Sequence, residues 1–137
     1  MALDLNRALL YGNPDGSLRG KMKAKNYLAI VDGIVGGEGN GPLCPDPIES
    51  NVVVAGDNPA EVDAVCCKLM GFDPRKIPLV REAFASHRWP ISRGSMADVR
   101  VFDEREGKEI LLDAVQPAVL GGFKPHFGWK ELNLLRG

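Results

Sequence analysis

The sequence contains no apolar run that approaches the ~18 residues needed by a membrane-spanning helix. It also has no excess of one charge, because 17 basic and 18 acidic side chains leave a net charge of −1. Domains that bind nucleic acids usually carry a marked basic excess. The composition therefore argues against a membrane span and against nucleic acid as a partner.

Cysteine is scarce as well. The three cysteines are Cys44, Cys66 and Cys67, and no two of them have the spacing of a Cys-x-x-Cys motif. An odd number with two adjacent residues does not suit a disulfide framework. Zinc sites and iron–sulfur clusters need closely spaced thiolates, so we expect this chain to ligate neither. Because the cysteines do not suit a disulfide framework, we expect a reducing, cytoplasmic location.

Familiar catalytic motifs are missing too. The glycine-rich run GGEGNGP follows an apolar stretch, but no Lys-Ser or Lys-Thr pair completes a phosphate-binding loop. Its glycine spacing also differs from the dinucleotide-binding fingerprint. No Ser, His and Asp arrangement indicates a hydrolase triad. The sequence therefore leaves open whether the chain is an enzyme and which cofactor, if any, it uses.

The patterns that are present predict a single α/β domain over residues 1–137, which is long enough to form a core. Runs of β-branched residues predict two buried strands, and later alternation predicts a C-terminal hairpin. The predicted strands are Tyr27–Val35, Asn51–Ala55, Asp98–Asp103 and Glu109–Asp113. Helical patterns cover Leu3–Tyr11, a segment that begins at Asn58, and Pro78–His87. We predict a mixed sheet flanked by helices, with the two buried strands at its centre.

The best-defined element is the helix that begins at Asn58. Asn is a good N-cap, Pro59 suits the first helical position, and Glu61 can close a capping box. Gly71 is placed to end the helix in a left-handed conformation. A helical wheel gives this helix one apolar stripe that we assign to the core: Val62, Val65, Cys66, Leu69 and Met70.

Residues 36 to 50 contain many turn formers and no helical period, so we interpret them as a long loop. Gly36, Gly37, Gly39 and Asn40 follow an apolar strand, where backbone amides can approach an anion closely. These four residues are therefore candidates for ligand binding. The alternative is that the glycines are needed only for positive φ angles.

Four acidic residues lie in or near this loop. Asp32 and Asp57 stand at the ends of the two buried strands, where ligands collect in open α/β sheets. Glu38 lies within the loop, and Asp63 lies at the edge of the apolar stripe. We predict ligand contacts for all four, and a metal site at Asp32, Glu38 and Asp63, because carboxylate clusters suit hard cations. Alternatively, Asp57 caps the turn before the helix and Asp63 bonds to loop amides. His126 is a further candidate for the site.

Several stretches together resemble the family called domain of unknown function 362. They are VDGIVGGEGNGP and VVVAGDNPAEVDAVCCKLMGFDP in the centre, DLNRALLYG near the start and KPHFGW near the end. The resemblance implies redox surroundings, because members are often linked to ferredoxin-like iron–sulfur modules. It also implies a longer architecture in which another α/β portion comes first. We therefore expect this chain to be the C-terminal portion of such an architecture.

Two functions fit these observations. The first is a small-molecule, anion or metal-binding half-site in a redox-associated protein, with the glycine-rich loop as the site. The second is a non-catalytic interaction module that packs against an iron–sulfur partner or a preceding domain; a homo-oligomer is a further option. Convergence of Asp32, Glu38 and Asp63 on an open cleft favours the first function, whereas a structural role for the loop favours the second.

Overall fold

The computed structural model describes residues 1–20 and 25–132 of the chain. Its α-helices are α1 (Ala2–Tyr11), α2 (Pro59–Leu69) and α3 (Pro78–Ala83). Its strands are β1 (Ala29–Asn40), β2 (Cys44–Gly56), β3 (Arg100–Asp103) and β4 (Lys108–Leu111). Short 3-10 helices cover Pro74–Lys76, Met96–Asp98, Leu112–Ala114 and Phe127–Leu132. The predicted α/β class is confirmed. None of the described helices has the length and apolar character needed to cross a membrane.

Strands β1 and β2 form a long antiparallel pair, called the ribbon below. Pairing runs from Ala29 opposite Gly56 to Asn40 opposite Cys44, and the connecting turn contains a cis Gly41–Pro42 bond. The prediction of a loop over residues 36 to 50 is therefore wrong, since both strands continue through this region. Glycine and proline are poor strand formers locally, but strand preference depends strongly on cross-strand pairing and packing.

A β-bulge between Gly33 and Val35 shifts the alternation of side chains along β1. Inward-facing positions are odd-numbered before the bulge and even-numbered beyond it, up to Glu38. The extra residue, Ile34, donates its amide to Oδ1 of Asp32 over 3.1 Å. The bulge thus places Asp32 on the exposed outer face of the ribbon and Glu38 on the inner face, which packs on the core.

The strands do not form the predicted mixed sheet. In the described residues they make two separate two-stranded sheets, the ribbon and the β3–β4 hairpin. The ribbon is not buried on both faces either, because exposed positions alternate with partly buried ones along both strands. The apolar runs indicated two covered faces, but the described chain supplies packing partners for only one. The predicted C-terminal hairpin is confirmed as β3–β4.

Helix α2 begins where the sequence predicted. Oδ1 of Asn58 accepts from the amides of Ala60 and Glu61 at 3.1 and 3.3 Å. Nδ2 of the same side chain donates to the carbonyl of Ile91 at 2.9 Å. The predicted capping box does not form, because the Glu61 carboxylate binds Arg93 instead. Asn58 therefore caps α2 and also ties it to the chain that follows α3.

The buried side of α2 differs from the predicted stripe. Cys67 and Lys68 are buried, whereas Cys66 and Leu69 are only partly buried. Lys68 is accommodated because its Nζ lies 3.4 Å from the Asp113 carboxylate while its aliphatic stem packs inside. A helical wheel assigns this lysine to solvent, so its burial was not predicted, whereas Val62 and Val65 of the predicted stripe are buried.

Two clusters of buried side chains join these elements. The larger contains Ala64, Val65, Cys67, Phe72, Val80, Val99, Leu112 and Phe123. The smaller contains Leu10, Tyr11, Ala60, Ala83 and Ile91. Helix α2 contributes to both clusters, so it is the element on which α1, the ribbon and the C-terminal half pack. Helix α3 ends at Ala83, earlier than the predicted His87.

Candidate interaction surface

The glycines predicted to line a ligand loop lie in β1, and packing accounts for two of them. A Cβ atom on Gly36 would lie 2.8 Å from the Phe123 ring, and one on Gly37 would lie 2.9 Å from Pro45. Gly39 has a φ of +73°, so the alternative explanation by positive φ holds for this glycine. The neighbouring Asn40 ends the strand. These glycines have structural roles, and their predicted ligand contacts stay a prediction.

Glu38 is occupied by an internal partner. Its carboxylate accepts from the Lys124 backbone amide at 2.8 Å and lies 2.8 Å from the Lys124 ammonium. The hydrogen bonds from Lys124 hold the pKa of the Glu38 carboxyl below its usual range. The amide of Gly39 also donates to the Lys124 carbonyl at 2.9 Å. Glu38 thus anchors the C-terminal segment to β1.

Asp57 is part of an ion-pair network just before α2. Its carboxylate lies 2.9 Å from Nη2 of Arg93, and that guanidinium also binds Glu61 at 2.6 Å. The hydrogen bonds that the Arg93 guanidinium donates to the Glu61 carboxylate are the main reason that the pKa of Arg93 is raised. The N-cap of α2 is Asn58, as predicted, and the contacts of Asp57 are with Arg93. These pairs bridge α2 to the segment that follows α3.

Asp63 lies on α2 beside a small cleft between α1 and α2, whose walls include Leu3, Asn6 and Ile91. The residue is exposed on one side, yet neighbouring groups crowd its carboxyl. This desolvation raises the pKa of Asp63 above its ordinary value of 3.8. Asp63 forms no hydrogen bond or ion pair with any described residue, so the predicted bond to loop amides is absent.

The structure does not bring the three predicted metal ligands together. Asp32 lies on the outer face of the ribbon, Glu38 on its inner face and Asp63 on α2. Within residues 1–20 and 25–132, no group of three His, Cys, Asp or Glu side chains is close enough to hold a metal ion. His126 has local contacts, since its Nδ1 accepts from the Gly128 amide at 3.1 Å. The geometry gives no support to a metal site at these positions.

The cysteines occupy different environments. Burial raises the pKa of Cys66 to about 11 and that of Cys67 to about 12, and the nearby Asp63 charge adds to both shifts. Both thiols therefore stay protonated near neutral pH and act as small core side chains. Cys44 is exposed at the start of β2.

The outer face of the ribbon is an apolar surface that the sequence reasoning missed. Ile30, Val35 and Val53 are 67%, 60% and 63% exposed on it. Asp32 lies opposite Val53 and Glu49 lies opposite Val35, so carboxylates are interspersed with the apolar side chains. Large exposed apolar patches with polar neighbours usually mark interaction sites.

The two edges of the ribbon differ in their free backbone groups. The Gly39 amide donates to Lys124, so it points away from β2. In an antiparallel pair, backbone groups alternate between facing the partner strand and facing away. Gly37 and Val35 therefore also direct their N–H groups outward, and both residues are exposed. On β2, the positions opposite Gly39 and Gly37 are prolines, which have no N–H.

Residues 1–68 match the model of a protein family described as Domain of unknown function (DUF362). The chain belongs to this family. The matched part contains α1, the whole ribbon and almost all of α2. No curated protein and no solved structure matches the chain.

The sequence of this DUF362 chain contains a charge pattern that marks the ribbon. Residues 26 to 67 contain seven acidic side chains and no Lys, Arg or His. All 17 basic side chains therefore lie outside this segment, although the chain as a whole is nearly neutral. Counting net charge over the full length conceals this asymmetry.

Proposed function

We propose that this chain is a non-catalytic interaction module, in which the outer face of the ribbon packs against another polypeptide. The exposed apolar side chains of that face carry the proposal. An isolated two-stranded ribbon is marginally stable in water, and one face here has no cover from the described chain. Covering Ile30, Val35 and Val53 would remove apolar surface from water, which favours association.

We propose two candidates for the covering surface, both implied by the resemblance of the sequence to its family. One is a ferredoxin-like iron–sulfur module, and the other is a preceding α/β domain of a longer architecture. The chain would then be a part of a redox-associated assembly without ligating a cluster itself. Free Cys44, Cys66 and Cys67 support a reducing, cytoplasmic location for it.

The alternative of a small-molecule or anion half-site has less support. Gly36 and Gly37 are explained by their contacts with Phe123 and Pro45. Glu38 is already paired with Lys124, so it is not available to a ligand without breaking that pair. A structural role for this segment is the outcome that favours the interaction module.

The first test asks whether the outer face is needed for folding. The double variant Ile30→Thr/Val53→Thr should keep the melting temperature of the parent, because both side chains are exposed. Val54→Thr is the matched control, since Val54 packs against the larger core cluster and should melt earlier. If the outer-face variant melts as early as the Val54 variant, this face is already covered in the folded chain and the proposal fails.

The second test asks whether the face binds a partner. The tagged chain and its double variant would be cross-linked in the native host, and captured proteins compared. Leu120→Thr is the control, because Leu120 is a fully exposed apolar residue outside the ribbon. We expect a protein that the parent and the Leu120 variant capture and the double variant does not. Identical capture by all three would contradict the proposed function.

A further inference from the structure

We infer that the ribbon binds its partner by strand addition to the edge of β1, and that the added segment is basic. This inference rests on the proposed function and specifies the partner's chemistry. It combines two features: the free backbone groups along one edge of the ribbon, and the acidic side chains on its outer face, Asp32 on β1 and Glu49 on β2.

The free backbone groups of β1 indicate the edge of the ribbon to which a partner strand would bind. Gly37 and Val35 present outward N–H and C=O groups that no described residue engages, and Lys124 already pairs with the next outward position, Gly39. Exposed strand edges of this kind accept extended peptides through main-chain hydrogen bonds. Glycines in a strand also permit close approach by another backbone.

The edge of β2 has fewer free backbone hydrogen-bonding groups. Pro45 and Pro47 remove the outward donors near its start. Further along, the Asn51 carbonyl accepts from the Arg105 guanidinium at 3.0 Å. Among the described residues of the ribbon, β1 therefore offers successive outward N–H groups at Val35 and Gly37, whereas β2 lacks them at Pro45 and Pro47.

The acidic side chains of the ribbon indicate the charge of the partner segment. Asp32 and Glu49 lie on the outer face, and neither forms an ion pair with a described residue. Glu38 already has Lys124, and the segment from 26 to 67 contains no basic side chain. Opposite charges on neighbouring strands stabilise a sheet, whereas like charges destabilise it. A second copy would bring only acidic ribbon side chains to this face, so the fitting occupant is an extended segment that alternates Lys or Arg with apolar residues.

The experiment uses synthetic peptides of about ten residues, the length of a long strand. The probe alternates Lys with Val, and two controls alternate Glu with Val or carry N-methyl groups on alternate amides of the Lys peptide. Binding to the full chain is measured by fluorescence anisotropy. Amide hydrogen exchange reports whether Val35 and Gly37 become protected.

We expect the Lys peptide to bind and to protect these two amides, and the N-methyl and Glu peptides to bind at least tenfold more weakly. Asp32→Asn/Glu49→Gln should weaken binding of the Lys peptide about tenfold. The matched control Glu104→Gln/Glu106→Gln removes two exposed acids of the β3–β4 turn and should leave binding unchanged.

Equal binding of the Lys and Glu peptides, insensitivity to N-methylation, or no binding of the Lys peptide would overturn the inference. Sedimentation showing a dimer that depends on Val35 would also overturn it, since the occupant would be a second copy. The proposed function is tested independently of strand addition. It stands if Ile30→Thr/Val53→Thr loses a captured partner, even when the peptide results exclude strand addition.

Discussion

The carboxylate of Glu38 binds both the main chain and the side chain of Lys124. Its Oε2 accepts from the amide at 2.8 Å, and its Oε1 lies 2.8 Å from the ammonium nitrogen. The Lys124 carbonyl in turn accepts from the Gly39 amide at 2.9 Å. These contacts join β1 to a segment 86 residues later in the chain. They hold that segment at the tip of the ribbon, next to the edge proposed for strand addition.

Glu38→Gln should lower the melting temperature by several degrees at neutral pH, because it removes the ion pair and keeps a neutral acceptor. Hydrogen bonds from Lys124 hold the Glu38 pKa below the ordinary 4.5. A lowered folded-state pKa contributes stability that is present above the unfolded pKa and is lost as pH falls through the folded one. The difference between parent and variant should therefore be complete above about pH 4.5 and shrink below it.

Calorimetry across this pH range measures that difference. Glu49→Gln is the matched control, because Glu49 is an exposed acid of the same ribbon without an ion pair in the described chain. A loss of stability that is the same at acidic and neutral pH would show that Glu38 acts through packing and not through its charge.

The sequence predicts features that depend on near neighbours. The start of α2 could be predicted because Asn58 caps amides only two and three residues away. The pairing of Glu38 with Lys124 could not be predicted, because the two residues are brought together only by the tertiary structure. The strands through residues 36 to 50 were missed since their prolines are tolerated only where the nitrogen faces away from β1. The sequence indicated the segment that holds the ribbon, but the bulge at Ile34 decides which face each side chain occupies.

Gly36→Ala should destabilise the chain by about 1–3 kcal/mol, the usual cost of overpacking a core. The new Cβ would lie 2.8 Å from Cε1 of Phe123, so the ring or the strand has to move. Gly20→Ala is the matched control, since a Cβ there meets no atom of the described residues within 4 Å. Denaturant unfolding of both variants gives the free energies of unfolding.

A double variant separates steric conflict from a ligand role for Gly36. Adding Phe123→Leu to Gly36→Ala should cost less than the two single changes together, because the smaller side chain makes room. Strict additivity would contradict the packing explanation and would revive the ligand-loop hypothesis for this glycine.

Asn58→Ala should cost about 2 kcal/mol, because it removes a helix cap and a buried hydrogen bond. Asn58 is 1% exposed, and its side chain binds the amides of Ala60 and Glu61 and the carbonyl of Ile91. Asn58→Ser keeps a capping oxygen without the donor to Ile91, so it should recover about 1 kcal/mol. Equal unfolding free energies for the Ser and Ala variants would mean that the bond to Ile91 carries the whole effect.

Asp63→Asn should raise stability slightly at neutral pH, which is the opposite of the effect expected for a ligand-paired acid. Desolvation raises the folded-state pKa of Asp63 above 3.8, so folding loses stability as pH rises from 3.8 through that raised pKa. Asn removes this cost, and because the residue is partly exposed the gain should be about 2 °C or less in melting temperature.

The gain should disappear below pH 3.8, where the parent carboxyl is protonated in both the folded and the unfolded chain. Glu104→Gln, at an exposed acid in the β3–β4 turn, serves as the control for a general change in net charge. Melting curves should be recorded with and without Mg²⁺. A Mg²⁺-dependent stabilisation of the parent that Asp63→Asn abolishes would contradict the structural interpretation of this residue, and would show that Asp63 binds a cation beside α1.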